Sequence, residues 1–423
     1  MLKYFLPDWE DRLDPCFDFA GDRYSSGHIK SPYDYDCYAH QLFETPPYDG
    51  ILISLSIFES KLKLNNNENN SYKIRSKSNI KDYLKISSDA DIDVMGDCGA
   101  FSYIDKDCPP LPFYSVENVA NIYDKLGFDF GVSVDHLAVD YIIFRNETTR
   151  KREKRSLDLP ERKQRVDITI RNAKKFLDIH KRNKYSFTPI GVAQGYDILS
   201  YRESIRALID MGYYHIGIGG LVQYKSEFIV QLLREIKDYT KGMKLHLFGV
   251  LRPAYLKDFE DLGVSSFDSA SFLRKAWLKS EKNYLSPDGK WYSAIRVPQS
   301  SNPRLIKNAD LNGFSTNDLK NMEKSALNAL VRFDKGKMDI DNTLEQVLEY
   351  DNLLLRGSSE IKDLRGRYFR TLSDEPWKLC NCSICRQLGI HVIIFRGCNR
   401  NKRRGFHNIW AFRHFGMLNK SDI

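Results

Sequence analysis

DKLGFDFGVSVD at residues 124–135, LIDMGYYHIGIGG at 208–220 and FEDLGVSSFDSAS at 259–271 repeat one local pattern. In each, a helical segment ends in glycine, a short apolar strand follows, and polar residues stand at the strand's far end. Gly127, Gly212 and Gly263 occupy the position where a helix closes in a left-handed conformation, which glycine adopts without a Cβ penalty. Working outward, helical periodicity covers 116–126, 162–180, 200–211, 225–239 and 254–262. Apolar strands are expected at 51–57, 93–96, 131–134, 190–193, 214–218 and 245–250, with a seventh ending at Phe267. Strands alternating with helices make a parallel sheet, and so many of them favour a closed (β/α)8 TIM barrel over an open doubly wound sheet.

The 423 residues are 42% hydrophobic and 28% charged, enough for a sizeable core and too apolar for wholesale disorder. The net charge of +8 suits a polyanionic partner. The apolar run at 51–58 is far too short to cross a bilayer, and MLKYFLPDWEDRLDP lacks the order of a secretory signal. We therefore expect a cytoplasmic protein without a membrane partner. Residues 61–78 are Asn-rich and read as a polar surface loop, and residues 145–165 carry nine basic side chains against four acidic ones. A helical segment at 341–355 leads into a cysteine cluster. The expected division is thus a barrel with an N-terminal extension at 1–335 and a C-terminal subdomain at 336–423.

Barrel enzymes keep their chemistry at the C-terminal ends of the strands. Those ends supply Asp97, Asp135, Gln194, the pair Gly219-Gly220, and Asp268. A single aspartate there is often only a helix cap; three carboxylates, an amide and a glycine pair converging on one mouth suggest more. Such a set fits exchange of a base on a sugar. One carboxylate can attack the anomeric carbon and a second can move the proton of the departing base. A third, with an amide, can read the donor edge of a guanine-like ring, and glycines let backbone approach it.

Cys380-x-Cys382-x-x-Cys385 places three thiolates in one tight turn, a spacing suited to a structural zinc completed by a distant histidine. His391, His407 and His414 are available, His391 opening an apolar run that reads as core. Arg396, Arg400, Lys402, Arg403 and Arg404 form a stretch without acids just before His407 and are candidates for holding nucleic-acid phosphates, as is the run at 145–165. With 24 Tyr and 24 Phe, stacking partners for a flipped base are plentiful.

Taken in order, GDCGAF (96–101), GVAQGYD (191–197), GIGGL (217–221), HLFGVLRP (246–253), FDSAS (267–271) and CNCSICR (380–386) with His407-Asn408 resemble the tRNA-guanine transglycosylase family over roughly residues 90–415. The resemblance implies a (β/α)8 barrel with a zinc subdomain. It further implies Asp268 as nucleophile, Asp97 as general acid/base, Asp135, Gln194, Gly219, Gly220 and Leu221 as base-binding residues, and His407 as the fourth zinc ligand. Three departures stand out: Gln194-Gly195 runs into Tyr196-Asp197, Asp268 is followed by SASFLRK, and Cys98 replaces the usual serine. The N-terminal FLPDWEDRLDP…PYDGILIS is similar to the DNA-directed branch, which inserts 7-cyano-7-deazaguanine into DNA beside a helper ATPase. The resemblance therefore implies a DNA-guanine transglycosylase, with a tRNA enzyme, a non-catalytic nucleic-acid-binding subunit and an enzyme of free nucleosides as alternatives. Cys98 is expected to be packed rather than reactive.

Overall fold

A computed structural model of the protein describes residues 2–7, 10–56, 79–146, 148–278, 281–355 and 364–416. The Asn-rich segment at 61–78 lies outside the described residues. Two compact units divide the chain: Met1–Trp9 with Tyr48–Ala270, and Glu10–Pro47 with Ser271–Ile423.

Eight strands of the first unit form a closed barrel. They are β1 (Lys3–Pro7), β2 (Gly50–Ser54), β3 (Asp93–Asp97), β4 (Phe130–Val132), β5 (Thr188–Ala193), β6 (His215–Ile218), β7 (Lys244–Leu247) and β8 (Val264–Asp268). Every barrel pairing is parallel, and β1 closes the ring by lying between β8 and β2, with Phe5 opposite Asp268. The (β/α)8 reading is thereby borne out. Its first strand is the one the sequence pattern hides: KYFLP has no helix and glycine before it, and the chain leaves for the second unit at Glu10 and returns at Tyr48.

Phe5, Leu52, Met95, Val132, Ile190 and Val192 meet in one buried cluster. Gly50 leaves room for it, since a Cβ there would lie 2.3 Å from the Phe5 ring. Outside, helix Val116–Leu126 is capped by Ser115 and helix Ile198–Met211 by Asp197. They end on Gly127 and Gly212, whose φ angles of 70° and 95° are the left-handed closures expected there. Between β4 and helix Leu159–Asn183, residues Tyr141–Arg145 and Arg152–Ser156 form an antiparallel hairpin, where the sequence pattern shows only a basic run.

In the second unit, helices Thr316–Asp334, Ile340–Leu355 and Leu364–Asp374 pack in sequence, and helix Gly397–Ala411 lies against Ser271–Leu278. The boundary expected at 335 is corrected. Residues 335–336 sit in the short turn between two helices that pack on each other, so the unit begins at Ser271 and takes in 10–47 as well. No helix among the described residues is long and apolar enough to cross a membrane.

Phe5 tests the hidden strand. It is only 2% exposed, so Phe5→Ala should cost about 3–5 kcal/mol, the usual loss for a truncated core aromatic. A chemical-denaturation midpoint equal to that of wild type would mean that β1 is not an integral strand.

Candidate active site

Asp97 is the last residue of β3 and Asp268 the last of β8, Gln194 and Gly219 directly follow β5 and β6, and Asp135 comes shortly after β4. Parallel pairing puts all these ends on the same rim of the barrel, so the expected constellation does assemble.

Asp135 and Gln194 are buried and joined: Gln194 Nε2 donates to Asp135 Oδ2 at 2.6 Å. The carboxylate can only accept, which orients the amide with its nitrogen toward Asp135. Gln194 Oε1 then faces away, buried and without a partner among the described residues. Beside it are the two glycines. A Cβ on Gly219 would come within 2.3 Å of Gln194 Nε2, and Gly220 has φ of 74°. Tyr201 Oη holds this loop by donating to the Gly219 carbonyl at 2.8 Å. Leu221 is fully buried, and Val222 beyond it is 51% exposed.

Cys98 is fully buried, and its thiol donates to Asp135 Oδ1 at 3.0 Å, while Tyr103 Oη donates to the Asp135 carbonyl at 2.9 Å. Burial, with the charges of Asp135 and Asp97, pushes the Cys98 thiol well above its usual range. It is thus a neutral donor. Burial also raises Asp135, against the lowering effect of the Cys98 and Gln194 hydrogen bonds. Asp97, Cys98 and Asp135 each place an atom within 4.8 Å of the others, as a cation site would. The thiol proton and the Gln194 amide each bond to one oxygen of Asp135, and each oxygen keeps a second acceptor site.

Asp97 keeps some contact with solvent, yet its surroundings withdraw enough water to push its pKa up to about 8, helped by the charges of Asp135 and Asp268. Its Oδ2 accepts from the Gly99 amide at 3.1 Å. A carboxyl group protonated at neutral pH is suited to give a proton to a leaving group.

Asp268 Oδ1 accepts from the Gly249 amide at 2.8 Å and faces His246 Nε2 at 3.2 Å. On the far side of the ring, His246 Nδ1 lies 2.9 Å from Ser266 Oγ. If Asp268 is ionised, Nε2 must carry the hydrogen and Ser266 donates to Nδ1. Oδ1 is thus held, and no hydrogen bond to Oδ2 is found among the described residues. The sequence reading missed His246. Alternation along Leu245, His246, Leu247 could have found it, because a histidine turned into an apolar barrel needs a polar partner there.

In the second unit, Cys380, Cys382, Cys385 and His407 are buried, and their ligand atoms lie within 4.8 Å of one another. The three sulfurs stand 3.7, 3.4 and 3.4 Å from His407 Nδ1. Tetrahedral zinc, with Zn–S of about 2.3 Å and Zn–N of about 2.0 Å, sets S and N about 3.5 Å apart, so this group can hold such a metal. His407 Nε2 lies 2.7 Å from the Leu285 carbonyl, a contact that fixes Nδ1 as the ligating atom. His391 and His414 stand elsewhere, against Phe19 and the Trp410 carbonyl.

The phosphate role expected of the 396–404 arginines is corrected. Arg396, Arg400, Arg403 and Arg404 are buried, at most 6% exposed. Arg396 and Arg400 pair with Asp22, and Arg396 also with Glu323. Arg403 donates to the carbonyls of Asp14 and Pro15, and Arg404 to those of Ala276, Val392 and Ile394. Lys402 donates to the Arg12 carbonyl. These groups tie residues 10–47 and the cysteine region to helix Gly397–Ala411, and burial pushes Arg404 down to about 9. A run of basic letters cannot show that its partners are carbonyls distant in sequence.

Fold and site together define a (β/α)8 enzyme of the glycosyl-transfer class. The family model described as "Queuine tRNA-ribosyltransferase" matches residues 113–304. A relative from Salmonella montevideo, "DNA-guanine transglycosylase", is 39% identical over 411 residues, covering 96% of this chain and 95% of its own. The chain belongs to the tRNA-guanine transglycosylase family, in its DNA-directed branch, and is a pentosyltransferase.

Two outcomes follow from this geometry. An ordinary aspartate releases its proton near 3.8, folded Asp97 near 8. Between these values the unfolded chain binds fewer protons, so stability falls as pH rises. Asp97→Asn removes that penalty. Its thermal midpoint should exceed that of wild type at pH 8, with the gap closing toward pH 4; a gap independent of pH would contradict a protonated Asp97. Separately, Cys385→Ser should lower the bound metal, from one per chain by elemental analysis, and destabilise the fold by several kcal/mol. Full metal content in that variant would count against the site.

Proposed function

We propose that the protein exchanges guanine in DNA for 7-cyano-7-deazaguanine through a covalent aspartyl-sugar intermediate. One observation carries the reading: the buried Asp135–Gln194 pair, with an open acceptor at Gln194 Oε1, shares the strand-end rim with the protonated Asp97 and the carboxylate of Asp268. Guanine and its 7-deaza analogue both carry adjacent N1–H and N2–H donors, which Asp135 and Gln194 Oε1 can accept. DNA as the polymer is supported by the name and near full-length likeness of the Salmonella montevideo relative.

In the first half-reaction Asp268 Oδ2 bonds to the anomeric carbon as its bond to the base breaks. The electron pair leaves with guanine, which takes its proton from Asp97. The incoming deazaguanine then returns a proton to Asp97, its ring nitrogen bonds to the anomeric carbon, and the ester bond to Asp268 opens. Gly249 and His246 hold Oδ1 throughout, which leaves Oδ2 to react. The target nucleotide must leave the stack to be reached, so a helper ATPase that opens duplex is a fitting partner in the cytoplasm. Zinc held by Cys380, Cys382, Cys385 and His407 would have no open position and would supply folding energy only.

A second reading, exchange into tRNA, is favoured by the family model matching 113–304. Purified protein incubated with labelled guanine and, separately, with duplex DNA, melted DNA and tRNA distinguishes them. Label should enter DNA, and Asp268→Asn should lose about 10⁴-fold or more of that incorporation while keeping its fold and metal. Label entering tRNA alone would replace the substrate, and full activity of Asp268→Asn would remove the mechanism.

A further inference from the structure

Phosphate contacts must come from cations that remain on the surface, and the buried 396–404 arginines do not. The hairpin beyond β4 has them. Arg145, Arg150, Lys151, Arg152 and Lys154 are all exposed, whereas the neighbouring Arg155 and Arg162 pair with Glu161 and Asp140, and Arg165 is buried on the carbonyls of Ile104 and Leu137. Among the described residues no carboxylate pairs with Arg150, Lys151 or Arg152.

The hairpin is built rather than loose. Leu157 N donates to the Asp140 carbonyl at its root, and Ile142 is fully buried there. At the tip, Asn146 Oδ1 accepts from the amides of Thr148 and Thr149, both at 2.9 Å. Gln223 Nε2 donates to the Tyr141 carbonyl at 2.9 Å, which ties the root to the turn that follows Gly219, Gly220 and Leu221. Five-residue strands then carry the tip about 16 Å from that tie.

Register sharpens the point. Arg145 stands directly opposite Arg152, and Ile143 opposite Lys154. Alternation puts Arg145, Arg152 and Lys154 on one face, where Lys154 Nζ lies 3.9 Å over the Tyr141 ring. Like charges directly across a strand pair destabilise it. Arg145 Nε donates to the Arg150 carbonyl at 3.1 Å, and its charge, with those of Arg152, Arg150 and Lys151, gathers positive potential that an anion lying across the hairpin would offset. We infer that this hairpin is a phosphate clamp, holding the DNA backbone next to the nucleotide delivered to the site.

The inference rests on the DNA reading above, and the test separates the two. DNA binding and exchange would be measured against salt concentration for wild type and for Arg150→Ala/Lys151→Ala/Arg152→Ala. The variant should lose about 2–3 from the slope of log affinity on log salt, at roughly 0.9 for each phosphate no longer neutralised, and its KM for DNA should rise about tenfold or more. Removing Arg152 relieves a like-charge pair, so the thermal midpoint should not fall, which excludes misfolding as the cause. A control triple, Lys184→Ala/Lys237→Ala/Lys241→Ala, changes exposed charges near the opposite ends of the strands and should keep the slope. If wild type modifies DNA and the hairpin variant matches it in slope and KM, or if the control loses as much, the clamp is wrong while the function stands. If wild type uses only tRNA, the DNA reading has failed and the clamp falls with it.

Discussion

Three carboxyl groups drawn to one rim of a barrel, where water is scarce, are the constraint on which this site depends. Burial and the charges of Asp135 and Asp268 disfavour the charged form of Asp97, and burial disfavours that of Asp135. The protein answers each differently. Asp135 takes a thiol and an amide on its two oxygens, Asp268 takes a backbone N–H and a histidine on one oxygen, and Asp97 keeps its proton. In the reaction proposed above, these three chemically identical side chains take accepting, nucleophilic and acidic roles that differ only through their surroundings.

All three departures from the family pattern leave the site residues in place. Cys98, in place of serine, still provides a donor to Asp135, and burial keeps its proton in place. Tyr196 stands where a second glycine would follow Gln194-Gly195, and Asp197 beyond it accepts from Ser200 N at 2.8 Å and caps the helix after β5, which holds the Gln194 loop in position. The run after Asp268 has its own anchor, with Tyr4 Oη donating to the Ser269 carbonyl at 2.8 Å. In each case the site residue is kept and its support is rebuilt locally.

Basic residues show how far composition leads. The 396–404 stretch and the 145–165 stretch look alike as strings of arginine and lysine. One is turned inward, its guanidinium groups bonded to carbonyls and acids of residues 10–47 and the cysteine region. The other raises five cations on an exposed hairpin. An arginine's fork of donors serves a carbonyl cage as readily as a phosphate, and only burial separates the two uses.

By itself the sequence determined the barrel's repeating units, the residues at its strand ends and the three-cysteine turn. Each rests on a local pattern, namely helix, glycine and strand in order, or ligands within one turn. Tertiary structure alone decided that KYFLP closes the ring between β8 and β2, that His246 reaches Asp268, that residues 10–47 join the second unit, and that the arginines before His407 are buried. All four depend on partners far apart in the chain. No periodicity encodes such contacts, because the energy that selects them is realised only when the elements pack.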